Sequence, residues 1–412
     1  MLSAIGVTSV DQLYAQVPES SQLKTPLPLP SHAPELQVER TLTALAAKNH
    51  AAHDGPFFLG AGSYYHHIPA SVDHIIQRSE FLTSYTPYQP EISQGTLTVM
   101  FEFQSMVAAL TGMEVANASM YDGSTALAEA ALMARRITKR DYIAIHGTLH
   151  PHYQETLTNY MDYTGGTMQP GAADSQTACL IVQMPDFYGN IPDLNTLRSQ
   201  CDQVGALLIV VVTEIIALGL LPAPEMADIV VGEGQSLGNP MQFGGPYVGL
   251  FACKQAYIRH MPGRICGETL DADGKRSFVL TLNTREQHIR REKATSNICT
   301  SQGLCATAFT IHLSLLGETG FKQLARLNHE TACTLADAVS ALPNIHVQNT
   351  SFFNECVIQL PVNSTKLVKT LAAQGVIAGL ALPENRLLVA ATEMTTAQDI
   401  DTFCALLAKE CR

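Results

Sequence analysis

DIVVGEGQSLGNPMQFGGPYVG, residues 228–249, reads as a short apolar strand, a glycine-rich loop and a second strand returning beside the first. Asp228 to Val231 supplies the first strand, and Val248–Ala252 the return, expected to run antiparallel. Continuous apolar runs of this length suit strands covered on both faces. The same signal recurs upstream in Tyr142–Ile145, Ala178–Gln183 and Ala206–Val212, each separated from the next by a helical pattern. Strand–helix alternation over such a span predicts an α/β sheet with helices on both sides.

Working outward, a helix is predicted from Thr96 to Leu110 on Leu97, Met100, Phe101, Val107 and Leu110, and an alanine-rich helix runs to Arg136. Toward the C-terminus, Gly317 to Leu342 reads as a long amphipathic helix. Ile345–Val347, Cys356–Gln359 and Arg386–Val389 read as strands, and Thr396–Lys409 as a last helix, together a small α+β unit. At the other end, residues 1–35 read as a short helix followed by a proline-rich arm, Thr25 to Pro34, and Glu35 to Ala52 as helical. An arm of that composition is stiff and extended and needs something to lie on. With 412 residues, 46% of them hydrophobic, the chain exceeds one ordinary core. The expected division is 1–56, helix and arm; 57–315, a large α/β domain; and 316–412, a small C-terminal domain.

Charged residues make up only 15% of the chain, which suggests surface buried between chains. A net charge of −12 argues against a nucleic-acid backbone as partner. The ten cysteines show no CxxC pair or zinc spacing and read as thiols of a reducing compartment. The first residues lack the basic region and apolar run of a signal peptide. The longest apolar stretch, Ala206 to Val212, is too short to span a bilayer. A cytoplasmic protein with neither a nucleic-acid nor a membrane partner is expected.

Several segments carry chemistry. Tyr121-Asp-Gly-Ser-Thr-Ala126 opens a helix with a glycine and two hydroxyls. It suits either a phosphate site or an ordinary cap. Glu214 follows the strand Leu207–Val212, where pyridoxal-phosphate enzymes on such a sheet place an aspartate that protonates the pyridine nitrogen; its blander reading is a polar residue at the strand end. Those enzymes put their Schiff-base lysine just after the strand that here ends before Gly234-Gln235-Ser236. An amide cannot form an imine. No lysine occurs between Lys139 and Lys254, and Lys254 lies beyond the return strand. In residues 283–300, NTREQHIRREKATSNICT, the cations Arg285, Arg290, Arg291 and Lys293 lead into Thr295-Ser296-Asn297. This is a cationic helix able to hold phosphate or a partner's acid, or a solvated helix with a Glu286–Arg290 pair. Two aromatic loops, Gly60–Pro69 (GAGSYYHHIP) and Tyr85–Gly95 (YTPYQPEISQG), suit a polar substrate pocket or a subunit interface equally. His66, His67, His146, His150 and His152 lack the carboxylate spacing of a metal site.

Three long strings, YTPYQPEISQG, GEGQSLGNPMQFGGP and TREQHIRREKATSNICT, resemble the P-protein of the glycine cleavage system, the glycine dehydrogenase (decarboxylating) family, and the resemblance runs the length of the chain. It implies pyridoxal-phosphate-dependent transferase fold type I, an aspartate aminotransferase-like large domain with a smaller α+β domain. In split members of that family a beta subunit carries the cofactor lysine and an alpha subunit a glycine-glutamine loop, so Gln235 places this chain on the alpha side. The family's lead before the first helix usually carries a Tyr-x-Pro pattern; starting at Met1-Leu2, this chain is expected to have a shorter one. The resemblance further implies an α2β2 assembly with pyridoxal phosphate on beta, glycine as substrate and the lipoyl arm of H-protein as acceptor. Alpha would add Tyr64, Tyr65, Tyr85, Tyr88, Gln89, Glu91 and Ser93 to a shared site, with Thr295, Ser296 and Asn297 reaching beta's phosphate. The competing expectations are a purely structural or regulatory partner and an independent pyridoxal enzyme using another lysine.

Overall fold

The computed structural model describes residues 1–411, which form two compact units, Met1–Ala51 and the chain from Ala52 onward. In the first, 3-10 turns at Ser3–Ile5, Asp11–Tyr14 and Glu19–Ser21 replace the expected opening helix. Gly6, at φ 76°, ends the first of them in the left-handed region where glycine costs least. The proline stretch is followed by helix α1, Glu35–Ala46. It stops short of Ala52, since Lys48-Asn49-His50 offers no apolar face to extend it. None of its residues is buried.

The second unit begins with Phe57–Pro69, which has no helix or long strand, and continues through short helices α2 (Ala70–Ile76) and α3 (Ser79–Leu82) and the longer α4 (Gln94–Thr111). A seven-stranded sheet then forms from β1 (Val115–Ala116), β2 (Tyr142–His146), β3 (Thr167–Pro170), β4 (Thr177–Gln183), β5 (Leu207–Val212), β6 (Ile229–Glu233) and β7 (Gly249–Cys253). Their order is β1-β7-β6-β5-β4-β2-β3. Strands β2 to β6 run parallel, and β7 returns antiparallel to β6, as the sequence predicts. Helices α5 (Gly123–Thr138), α6 (Pro151–Thr164) and α7 (Leu194–Val204) connect them.

Side chains alternate across the sheet with a period of two. Leu180, Val182, Leu208, Val210 and Val230 pack on one face with Phe103 and Phe309. Cys179, Ile181, Ile209, Val211 and Val231 pack on the other with Leu127 and Met133 of α5 and Leu157 of α6.

A hairpin not foreseen in the sequence, β8 (Ile265–Leu270) and β9 (Arg276–Thr281), leads to the 283–300 segment. That segment is no continuous helix. It folds as a 3-10 turn at Asn283–Arg285, the four-residue α8 (Gln287–Arg290) and another turn at Arg291–Lys293. Helix α9, Gly303–Ser340, breaks at Gly317 (φ 58°, ψ −176°), so the predicted helix begins at the break and a second helix precedes it. The C-terminal sheet comprises β10 (His346–Val347), β11 (Glu355–Gln359), β12 (Leu380–Leu382) and β13 (Arg386–Ala390), in the order β10-β11-β13-β12. Helices α10 (Ser364–Ala372) and α11 (Ala397–Glu410) pack on it, with Phe58 stacked on Phe403 at 4.5 Å. No helix among the described residues is long and apolar enough to cross a membrane.

Candidate functional site

In parallel sheets ligands gather at the carboxyl ends of the strands. Here those ends present Gln183 from β4, Thr213-Glu214 after β5 and Glu233 to Ser236 from β6, with Gly60–His67 laid across them. The crossing segment is tied down by side chains. The Ala61 amide donates to Glu355 Oε1 at 2.6 Å and the Tyr64 hydroxyl to Glu355 Oε2 at 2.9 Å. Burial pushes the Glu355 carboxyl up to about 7, against those two donors.

The centre of the cleft is a buried ion triad. His66 Nε2 lies 3.0 Å from Glu214 Oε2, and Nδ1 lies 2.9 Å from Glu393 Oε2. Burial alone would push the imidazole down, but the two carboxylates outweigh it and hold His66 up at about 10, so it is an imidazolium. Glu214 also accepts from Ser236 Oγ and the Ile216 amide, both at 3.0 Å. Glu393 accepts from the His67 amide at 2.6 Å and Asn328 Nδ2 at 3.0 Å. Glu214 does end a strand, as the blander reading holds, yet it is a buried member of a charge cluster with its oxygens spent on the chain itself. The same positive charge, added to burial, drives His312 down to about 4.

Gln235 stands at the position of the missing amine, and its amide is fully used. Oε1 accepts from the Tyr64 amide at 3.1 Å, while Nε2 donates to the carbonyls of Asn239 at 2.7 Å and Tyr64 at 3.3 Å. The α5 N-terminus, a phosphate site or a cap from sequence, is a cap. Asp122 Oδ1 takes the Thr125 amide at 2.8 Å in a capping box, and Glu233 Oε2 takes the Gly123 amide at 3.0 Å. A Cβ at Gly123 would collide with the Tyr153 hydroxyl, which lies directly over this helix end. Burial, reinforced by the Asp122 charge, pushes Glu233 up to about 8. Two carboxyl groups therefore occupy the donors a phosphate would need. Lys254 cannot substitute for the amine. It follows the antiparallel β7 at the far end of β6 and pairs with Asp228 at 3.2 Å. These residues do not fit covalently bound pyridoxal phosphate.

The other predicted residues form a second group. Tyr85 and Tyr88 are exposed, at 79% and 56%, and Gln89 and Glu91 are exposed beside them. The Tyr88 hydroxyl accepts from Arg264 Nη2 at 3.2 Å, and the Arg264 guanidinium lies over the ring, 5.6 Å from its centroid. Ser93 precedes α4 but makes no side-chain cap. Tyr85 and Thr300 line one cavity of about 80 Å³ together. Nearby, Arg285 donates to the carbonyls of Met261 and Gly263, so it is a buried brace rather than a free cation. The Glu286–Arg290 pair does not form; Glu286 faces Arg264 at 3.8 Å and His288 at 3.6 Å. The Thr295 amide donates to the Arg285 carbonyl at 2.9 Å, Ser296 Oγ accepts from the Ile298 amide at 3.0 Å, and Asn297 is exposed. Tyr64 and Tyr65 belong elsewhere. Tyr64 is buried in the cleft, and Tyr65 packs edge-on against Phe57 with its carbonyl held by Thr392.

His66, Glu233, Glu355, Glu393, Tyr153 and Arg264 carry much of this geometry and were missed as site residues. Only Glu233, inside the glycine loop string, and His66, inside the aromatic loop Gly60–Pro69, lay in segments the sequence singles out. The others come from segments far apart in sequence. Among the described residues no group of three or more histidine, cysteine, aspartate or glutamate side chains could hold a metal ion.

Comparison with known proteins fits this geometry. The family model "Glycine cleavage system P-protein" matches residues 1–407. A probable glycine dehydrogenase (decarboxylating) subunit 1 of Caulobacter vibrioides is 56% identical over 431 aligned positions, covering 99% of this chain and 96% of its relative. The crystal structure of an inhibitor-bound glycine decarboxylase (P-protein) of the glycine cleavage system superposes with a TM-score of 0.95 at 39% identity, covering 99% of this chain and 97% of that one. A C-DES variant with glycine covalently linked to its pyridoxal phosphate cofactor shares the fold alone, at a TM-score of 0.61 and 14% identity over 86% of this chain and 96% of that one. The architecture is pyridoxal-phosphate fold type I, and the chain belongs to the P-protein family of the glycine cleavage system.

Proposed function

We propose that this chain is the cofactor-free alpha subunit of glycine decarboxylase, inactive alone. It pairs with a lysine-bearing beta subunit in an α2β2 complex that acts as a glycine dehydrogenase (aminomethyl-transferring) in the cytoplasm. The complex decarboxylates glycine and passes the aminomethyl group to the lipoyl arm of H-protein. The pyridoxal phosphate that supplies the electron sink belongs to beta. The observation that carries this reading is Gln235, whose amide is spent on Tyr64 and Asn239 where an amine would have to stand.

Within that complex, the exposed Tyr85, Tyr88, Gln89 and Glu91, with Ser93, face the shared site, and Arg264 holds Tyr88 in place. Thr295, Ser296 and Asn297 form the turn offered toward the partner's phosphate. Tyr64 and Tyr65 contribute from behind by shaping the wall of this chain's own cleft. The chain is organised as helix and arm over 1–56, a large α/β domain over 57–315 and a small C-terminal domain over 316–412.

The test is spectral. Purified chain mixed with pyridoxal phosphate and reduced with borohydride is expected to yield no cofactor-bearing peptide, and to release no carbon dioxide from glycine. A reduced adduct on Lys254, or glycine-dependent carbon dioxide exchange by this chain alone, overturns the assignment. Co-expression with the beta subunit followed by mass measurement of the complex checks the stoichiometry.

A further inference from the structure

Although the cleft does not suit a phosphate, it remains a cleft. A cavity of about 410 Å³, within the range of small-molecule sites, opens between the α5 N-terminus and the loop after β6. Its walls include Ser63, Asp122, His152, Tyr153, Glu233 and Tyr247, and no lysine or arginine lines it. Most polar groups here are satisfied within the chain. Glu233 accepts three backbone amides, and the Tyr247 hydroxyl pairs with Ser63 Oγ at 3.0 Å.

Two groups beside the α5 N-terminus keep hydrogen-bonding capacity. The Tyr153 side chain is only 7% exposed and lines the cavity, yet its hydroxyl makes no hydrogen bond among the described residues. Facing the open cavity, that hydroxyl keeps both a donor and an acceptor for a ligand. Asp122, which also lines the cavity, uses Oδ1 for both the Thr125 amide and the Ser124 hydroxyl, and its Oδ2 makes no hydrogen bond among the described residues. The charge balance decides what can complete them. The helix end contributes roughly half a positive charge, against the Asp122 carboxylate that caps it. An anion is repelled and a cation with hydrogen-bond donors is favoured.

We propose that this cleft binds a small molecule presenting a primary ammonium group, held between the Asp122 carboxylate and the Tyr153 hydroxyl. The ammonium donates to Asp122 Oδ2 and to the phenol oxygen. In a zwitterionic amino acid the phenol proton instead donates to the ligand's carboxylate. The inference does not depend on which subunit carries pyridoxal phosphate.

Isothermal titration of the full-length chain with methylammonium chloride, glycine and inorganic phosphate, each to ~50 mM, tests it; that ceiling reaches affinities weaker than the millimolar range. Methylammonium or glycine is expected to bind and phosphate not to. Tighter binding of glycine identifies an amino acid as the occupant, and equal binding a simple amine. Asp122→Asn keeps a competent helix cap, because asparagine caps as well as aspartate, and is expected to weaken ammonium binding at least ~10-fold, or about 1.4 kcal/mol. Tyr153→Phe is expected to weaken it measurably, with both variants keeping the wild-type circular dichroism spectrum. Binding of phosphate, absence of binding by both ammonium probes, or binding that Asp122→Asn leaves unchanged would refute the site.

Discussion

Replacing His66 by glutamine, a neutral side chain of similar reach, tests whether the imidazolium holds the cleft together. The imidazole is raised from 6.5 to about 10 by Glu214 and Glu393, against the opposing effect of burial. Its folded value lies above its unfolded value. The stabilisation is therefore complete below about pH 6.5 and disappears as pH rises through about 10. At about 1.4 kcal/mol per unit, the wild-type chain loses roughly 3–4 kcal/mol between pH 7 and pH 10 from this group. Removing one member of a buried ion cluster costs about 3–5 kcal/mol at neutral pH. The stability gap between wild type and His66→Gln is thus expected to start near that value at pH 7 and to close toward pH 10. Urea unfolding of the full chain at successive pH values, followed by far-UV circular dichroism, measures the gap. Glu355, Glu233 and the buried thiols also titrate on the way, but they do so in both proteins and cancel in the difference. A gap that stays constant from pH 7 to pH 10 would mean that His66 is neutral in the folded chain and that the charge reasoning is wrong.

Gln235→Lys asks whether the missing amine alone separates this cleft from a cofactor site. An ammonium donates but cannot accept, so the Tyr64 amide would lose its partner, and a destabilisation of about 1–3 kcal/mol by urea unfolding is expected. Because Asp122 and Glu233 still occupy the α5 amides, borohydride reduction with pyridoxal phosphate is expected to fix no cofactor at residue 235; a stoichiometric adduct there would show that the carboxyls do not exclude phosphate. Tyr88→Phe and Glu91→Gln, each rebuilt into the complex with its partner, are expected to lower glycine turnover ~10-fold or more, about 1.4 kcal/mol of transition-state stabilisation. Unchanged turnover would favour a purely structural role for the loop.

The sheet was legible because its strands are short apolar runs of one kind. Ala178–Gln183 and Ala206–Val212 match β4 and β5 to within a residue, since burial on both faces makes their interiors unbroken apolar runs. The β8–β9 hairpin was not legible. Its inner residues, such as Cys266 and Phe278, pack against α4, while Glu268 and Arg276 pair on the outside, so hydropathy there alternates weakly. The 283–300 segment was misjudged for a related reason. Its cations suggested a solvated helix, but Arg285 and Arg264 turn inward to carbonyls and Glu286, and a propensity reading cannot anticipate buried guanidinium braces. The missing amine was legible because chemistry, not packing, fixes what must stand at residue 235. The buried ion triad was not, since His66, Glu214 and Glu393 meet only in the folded chain.

The triad also shows how this cleft is held together by the chain's own side chains. Such a site ordinarily leaves polar groups unsatisfied until a ligand arrives, and each costs about 1–3 kcal/mol while it waits. Here Glu214, Glu233, Glu355 and Gln235 find their partners within the chain. The triad joins the end of β5 to the loop after β13 and to α9 through Asn328. The C-terminal sheet is thereby fixed against the large one by hydrogen bonds and opposite charge. Opening the two sheets would expose an imidazolium and two carboxylates that hold each other only when closed. Among the residues lining the cavity, Asp122 through Oδ2 and Tyr153 through its hydroxyl keep hydrogen-bonding capacity outside these contacts. A ligand in this cleft is therefore read from those two residues and not from residue 235, whose amide is spent within the chain.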